Sequence, residues 1–241
     1  MARGAMGMLR LLSIRGKGPQ WQESDTTHLT GMGRSSRSNH YPVDRPGPTP
    51  YHSPMSYTEL RQLLAGGDRR SIGRADEVVP RAKDSPSVVS ALVRLMRDSD
   101  PVVSMRAADA LEKISRTDPE VLMPHKHELL GEIAENSQQE VRWHLLQMLP
   151  RLRLIPTERT QALEIAAGSL HHPSRIVVAD ALTALFKLSA GDAVLMERAK
   201  EQADRLSSSP FAAVRSRAKR LISSACPKGS LCGPASGDFE P

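Results

Sequence analysis

Residues Asp100–Ile114, DPVVSMRAADALEKI, decide the fold, because their spacing of small and apolar side chains returns three more times along the chain. Counted from Ser104, Ala107, Ala110, Leu111 and Ile114 stand at offsets 3, 6, 7 and 10. Arg142 opens the same series with Leu145, Met148, Leu149 and Leu152. Arg175 does so with Val178, Ala181, Leu182 and Leu185, and Arg215 with Ala218, Leu221, Ile222 and Ala225. The starts lie 38, 33 and 40 residues apart. Offsets of this kind put one apolar face on a helix, and a recurrence in this range is the mark of stacked helical repeats.

Composition agrees with that architecture and narrows the function. The 241 residues suffice for a sizeable core, but aromatic content is only 3%, so the core must be made of Leu, Ala, Val, Ile and Met. No apolar run approaches the roughly 20 residues of a membrane span. Of the net charge of +6, more than half lies before Met55, where seven basic residues face three acidic ones, so the basic balance is weak support for nucleic-acid binding. Both cysteines, Cys226 and Cys232, follow the last repeat, which argues against a disulfide-stapled secreted fold and for a cytoplasmic setting. Their spacing does not suit a zinc knuckle, and no metal or cofactor is expected.

Residues 1–54, rich in Gly, Pro, Ser, Arg and His, read as a disordered extension. Their opening faintly resembles a transit segment, and Met55 is the alternative start that the following capping box favours. Residues 55–225 read as the repeat domain, and 226–241 as a flexible tail. Within the domain, Ser56 and Glu59 form the capping box of a helix that stops at Gly66-Gly67. A second helix is expected from Ser71 to about Val79, closed or kinked by Pro80. Ser85-Pro86, Asp100-Pro101 and Asp118-Pro119 open the next helices, Val88, Leu92, Leu95 and Met96 forming the first of their buried stripes. Ser137 and Glu140 form a further capping box, Pro150 ends or bends a helix near Leu149, and Pro156 starts another, buried along Leu163, Ala166, Ala167 and Leu170. Leu195, Ala199, Ala203 and Leu206 mark the outer helix before the last one.

Paired helices of this length, with Asp-Pro or Ser-Pro turns followed by Val-Arg-x-x-Ala-x-x-Ala-Leu, resemble the HEAT/armadillo-like repeats. The match reads Val103 with Ala107, Ala110 and Leu111, Val141-Arg142 with Leu145, and Val214-Arg215 with Ala218, over about Ser85–Ala225. The resemblance implies an all-α, right-handed α-solenoid of about five helix pairs, its second helices lining a concave face. It also implies a non-enzymatic scaffold or adaptor, and it carries no catalytic residues to transfer.

If the second helices line the groove, offsets 1, 4, 5 and 8 face it. The floor is then Met105, Ala108, Asp109 and Glu112; Trp143, Leu146, Gln147 and Pro150; Ile176, Ala179, Asp180 and Thr183; Ser216, Lys219, Arg220 and Ser223. Two repeats are acidic there and only the last is basic, unlike a groove that tracks phosphates. Met105, Trp143 and Ile176 share offset 1 and are the candidate rim for a partner protein's segment, with Gln147, Arg142 and Arg175 beside them; the other reading is satellite core between adjacent helices. The offset-zero arginines serve either as a binding ladder or as donors to neighbouring turns. Arg215, Arg217, Lys219 and Arg220 are the candidate nucleic-acid contacts of the alternative function, or simply a solvated last helix with cations suited to the helix dipole. His125, His127, His171 and His172 lack the spacing of a metal pair. Some DNA-repair glycosylases are built from HEAT-like repeats and use Trp, Asp and Arg; Trp143, Asp109 and Arg142 are the nearest equivalents, without a shared local motif.

Overall fold

The computed structural model describes residues 55–225, apart from 69, 83 and 84. The expected extension 1–54 and the tail 226–241, with both cysteines, lie outside the described residues. Within them the chain is all-helical: α1 Tyr57–Leu64, α2 Ala75–Ala82, α3 Pro86–Leu95, α4 Pro101–Thr117, α5 Lys126–Leu130, α6 Gln139–Met148, α7 Pro156–Ser169, α8 Arg175–Leu188, α9 Ala193–Leu206 and α10 Ala212–Ala225. Two 3-10 segments, Pro119–His125 and Leu149–Arg151, precede α5 and follow α6.

Local chemistry sets most of these boundaries. The Ser56 hydroxyl accepts from the Glu59 amide at 3.2 Å while the Glu59 carboxylate accepts from the Ser56 amide at 2.8 Å, the full capping box. Asp100 and Asp192 cap α4 and α9 through their carboxylates. Pro150 converts the end of α6 into a 3-10 turn, as expected of a residue with no amide hydrogen.

Three expectations need correction. Gly73 adopts φ 55°, a left-handed conformation no helix passes through, so α2 begins at Ala75 and not at Ser71, and Pro80 lies inside it two residues before its end. Ser137 caps nothing: α6 starts at Gln139, because Gln138 is held out of the helix by donating to the Pro101 carbonyl and accepting from the Ser104 hydroxyl. On α7 the buried side chains are Ala162, Ala166 and Ser169; Ala167 is exposed, and Leu163 and Leu170 are only half-buried.

The helices pack as an α-solenoid of five successive pairs. The second members, α2, α4, α6, α8 and α10, each pack on the next, forming a continuous inner row, and the first members lie outside them. One core cluster runs from Leu60 to Ala162 and takes in Leu188, and a second, centred on Val177, Ala181, Leu182 and Phe186, joins α6 to α10. Ala107, Ala108 and Ala110 are fully buried, and their lack of bulk lets α4 approach its neighbours closely. Leu111 and Ile114, also fully buried, each contribute on the order of 2 kcal/mol of transfer free energy.

One buried cation ties the first pair to the second. Arg106 is 2% exposed, and its guanidinium donates to the carbonyls of Leu64 (2.8 Å), Ala65 (3.3 Å), Gly66 (2.7 Å), Asp68 (3.3 Å) and Ser71 (3.1 Å). These carbonyls belong to the C-terminal end of α1 and the loop after it, where partial negative charge accumulates and backbone acceptors lack helical partners. The left-handed Gly73 completes the cradle, since a Cβ there would lie 2.6 Å from Arg106 Cζ.

Candidate functional site

The inner row is the surface on which the sequence places the candidate residues, and the structure fills much of its floor with polar bridges. Lys113 of α4 reaches Asp76 of α2 at 2.6 Å and Asp109 of its own helix at 2.8 Å. Glu112, 1% exposed, takes Arg116 from its own helix and Arg151 from the turn after α6, each at 2.6 Å. Gln147 of α6 donates to Asp180 of α8 at 2.9 Å, and Arg217 of α10 reaches Asp180 at 3.4 Å and also donates to the Thr183 hydroxyl. Every step from α2 to α10 is thus bridged by a charged or amide side chain.

These contacts move proton affinities in opposite directions. Burial pushes the Glu112 carboxyl up, but the Arg116 and Arg151 guanidiniums outweigh it and hold it below the ordinary carboxylate range. Asp180 is pushed above its ordinary value by burial, because Gln147 and the more distant Arg217 compensate only in part. Burial would lower Lys113, yet its bonds to Asp109 and Asp76 leave it raised. His144 is lowered by burial against the opposing fields of Asp109 and Glu112, and its Nδ1 has no hydrogen-bond partner among the described residues.

The rim candidates occupy unlike environments. Met105 is 7% exposed, because α4 is covered on both flanks by α2 and α6. Trp143 is half-buried against the second core cluster, its ring 5.4 Å from that of His144 and tilted by 58°. Ile176 is 53% exposed, on a helix buried along most of its length. The offset-zero arginines all engage neighbouring turns. Arg142 lies 3.4 Å from the Ser169 hydroxyl and is lowered by burial, Arg175 stacks 4.9 Å from the Phe211 ring, and Arg215 donates to the Ser209 carbonyl at 2.7 Å. On α10, Lys219 and Arg220 are exposed, whereas Arg217 is half-buried in its bridge to α8.

Two participants escaped sequence reasoning. Arg151 reaches a carboxylate 39 positions earlier, and no local spacing announces that pairing. His144, at offset 2, lies between the core-facing and groove-facing series. Among the other histidines, His125 bonds Ser90 at 3.2 Å and His172 accepts from the Ser174 amide at 3.0 Å, so both serve local structure. Among the described residues no group of His, Cys, Asp and Glu is arranged to hold a metal ion, and no helix is long and apolar enough to cross a membrane.

A family model described as a HEAT repeat domain matches residues 67–184, from the loop after α1 to the middle of α8. No curated protein matches the chain.

Proposed function

Starting from a chain that is a HEAT-like repeat protein, we propose that it is an adaptor that binds a segment of a partner protein along the inner row of helices and catalyses no reaction. HEAT-like repeats are helical scaffolds that commonly mediate protein interactions. The observation that carries the reading is Ile176: an isoleucine more than half exposed on the helix otherwise most enclosed in the fold. An apolar side chain so placed gains free energy when a partner covers it. Trp143, half-buried on α6, the preceding inner helix, would add a flat apolar edge, and the buried Met105 on α4 would back the row. Gln147, where it is not held by Asp180, and Arg175 would serve as polar contacts for the partner's backbone and side chains, whereas Arg142 is turned toward Ser169 of α7 and takes no part. The repeat domain extends to 55–225, beyond the matched residues, which the packing of α10 on both α8 and α9 supports.

The inner row favours protein over nucleic acid. Arg217 is committed to Asp180 and Thr183, and the acids Asp109, Glu112 and Asp180 run through the row, so a phosphate backbone meets scattered cations such as Lys187, Lys219 and Arg220 rather than a continuous basic track. The test uses the full chain as bait in its own cell lysate, with and without nuclease. The adaptor reading expects a defined protein that survives nuclease and is lost with Ile176→Glu. Retention that vanishes with nuclease, or with Lys219→Glu/Arg220→Glu alone, overturns it.

A further inference from the structure

Helix α7 carries two apolar stripes where a helix packed on one side needs one. Ala162, Ala166 and Ser169 are buried, while Leu163, Ala167 and Leu170 repeat the same i, i+4, i+7 spacing one residue further round. That second stripe lines a groove of about 870 Å3 whose floor is Leu185 of α8 and whose far wall is α9, through Leu195 and Ala199. The groove opens where successive outer helices part. α1 touches α3, α3 touches the 3-10 turn before α5, and α5 touches α7, but α7 and α9 make no comparable contact. Both walls run about eleven residues, Thr160–His171 and Leu195–Arg205, which is roughly 16 Å or three helical turns. The opening therefore has the dimensions of one missing outer helix.

We propose that this groove docks an amphipathic helix of a partner protein whose apolar face is flanked by acidic side chains. The flanking charge follows from α9. Arg198 and Arg205, both exposed and two turns apart on one face, border the groove with guanidiniums that make no hydrogen bond or ion pair among the described residues. Arg159 adds a third cation at one end, held in place by donating to the Leu188 carbonyl at 2.6 Å and the Ala190 carbonyl at 3.0 Å. Against these three, the acids on the lining are Glu164 and Asp192, and Asp192 is already occupied in capping α9. A helix laid between α7 and α9 places its apolar stripe on the leucines and its flank along Arg198 and Arg205, where glutamate or aspartate is the complementary choice. This site lies on the outer layer and stands independently of the inner-face reading.

The experiment selects, on the full chain, from a display library of helical peptides about 16 residues long, fixed as apolar at i, i+3, i+4 and i+7 and random elsewhere. Enriched peptides are then measured by fluorescence anisotropy. The proposal expects acidic residues to dominate the flanks, and the affinity to fall at least about tenfold for Arg198→Glu/Arg205→Glu, whose side chains are exposed and whose replacement should leave the circular dichroism unchanged. Lysine-for-glutamate versions of the same peptides should rebind that variant. Ala167→Trp, which fills the groove without changing charge, should abolish both. Selection without charge bias, no enrichment at all, or affinities unmoved by the double reversal overturns the proposal. A dimer of the wild-type chain in sedimentation that the double reversal dissociates also overturns it, in favour of a second copy as the occupant.

Discussion

Replacing Arg106 by methionine keeps the volume of the buried stem and removes all five of its donor contacts to the α1–α2 segment. Two of those bonds, to Leu64 and Gly66, are short at 2.8 and 2.7 Å, and hydrogen bonds to a charged group are worth about 1.5–3 kcal/mol each. The acceptors at Gly66, Asp68 and Ser71 sit in an exposed loop that water can reach, so the lower figure applies and the three longer bonds add little. The expected loss is about 3 kcal/mol, concentrated in the docking of the first helix pair rather than in the whole fold. Hydrogen exchange followed by mass spectrometry separates the two. Peptides from 57–82 should exchange about a hundredfold faster, since each 1.4 kcal/mol is roughly a factor of ten, while peptides from α8 keep their protection. Exchange in α1 and α2 that changes less than about threefold would refute the reasoning, because the guanidinium would then not be what holds the pair down.

Gly73→Ala attacks the same cradle from the other side, forcing a Cβ to 2.6 Å from Arg106 Cζ at a left-handed backbone, and should give the same regional exchange pattern. Glu112→Gln leaves Arg151 largely buried without its anion and should cost about 3 kcal/mol in urea unfolding at neutral pH, against less than about 1 kcal/mol for the exposed partner in Arg116→Ala. Because the folded carboxyl of Glu112 lies below its ordinary value of 4.5, its stabilisation is complete above that value and fades as pH falls through the folded one. The gap between wild type and Glu112→Gln should therefore narrow in acid, and a gap that stays constant down to pH 3 would contradict the assignment. Asp100→Ala removes the cap on the Val102 amide and should lower stability by about 1 kcal/mol, read as a shift of the urea midpoint at unchanged slope.

The pattern that opens at Ser104 was legible because inner helices pack on both neighbours, so each must repeat the same small and apolar offsets. Asp-Pro and Ser-Pro pairs mark helix starts by chemistry confined to four or five residues, and those starts are where reading and structure agree best. The misreadings come from interactions that span a repeat. Arg106 sits at an unremarkable offset, and nothing nearby indicates five carbonyls 35 to 42 positions away. Ser137 and Glu140 have the spacing of a capping box, yet Gln138 is drawn across to α4 and shifts the start by one residue. On α7 the stripes 162/166/169 and 163/167/170 are both compatible with burial by composition, and only the spacing between α7 and α9 decides which one is covered. The inner-face acids looked like groove floor for a related reason: Glu112 is closed off by an arginine from the next repeat.

The most direct test of the adaptor reading is quantitative capture from nuclease-treated lysate on the full chain, comparing wild type, Ile176→Glu, and Arg198→Glu/Arg205→Glu. The account predicts at least one defined protein held by wild type and by the outer-groove variant, and reduced about tenfold or more by Ile176→Glu, since a carboxylate cannot enter an apolar contact without a large desolvation cost. Equal capture of every protein by wild type and Ile176→Glu would contradict it, leaving the inner row as structure alone.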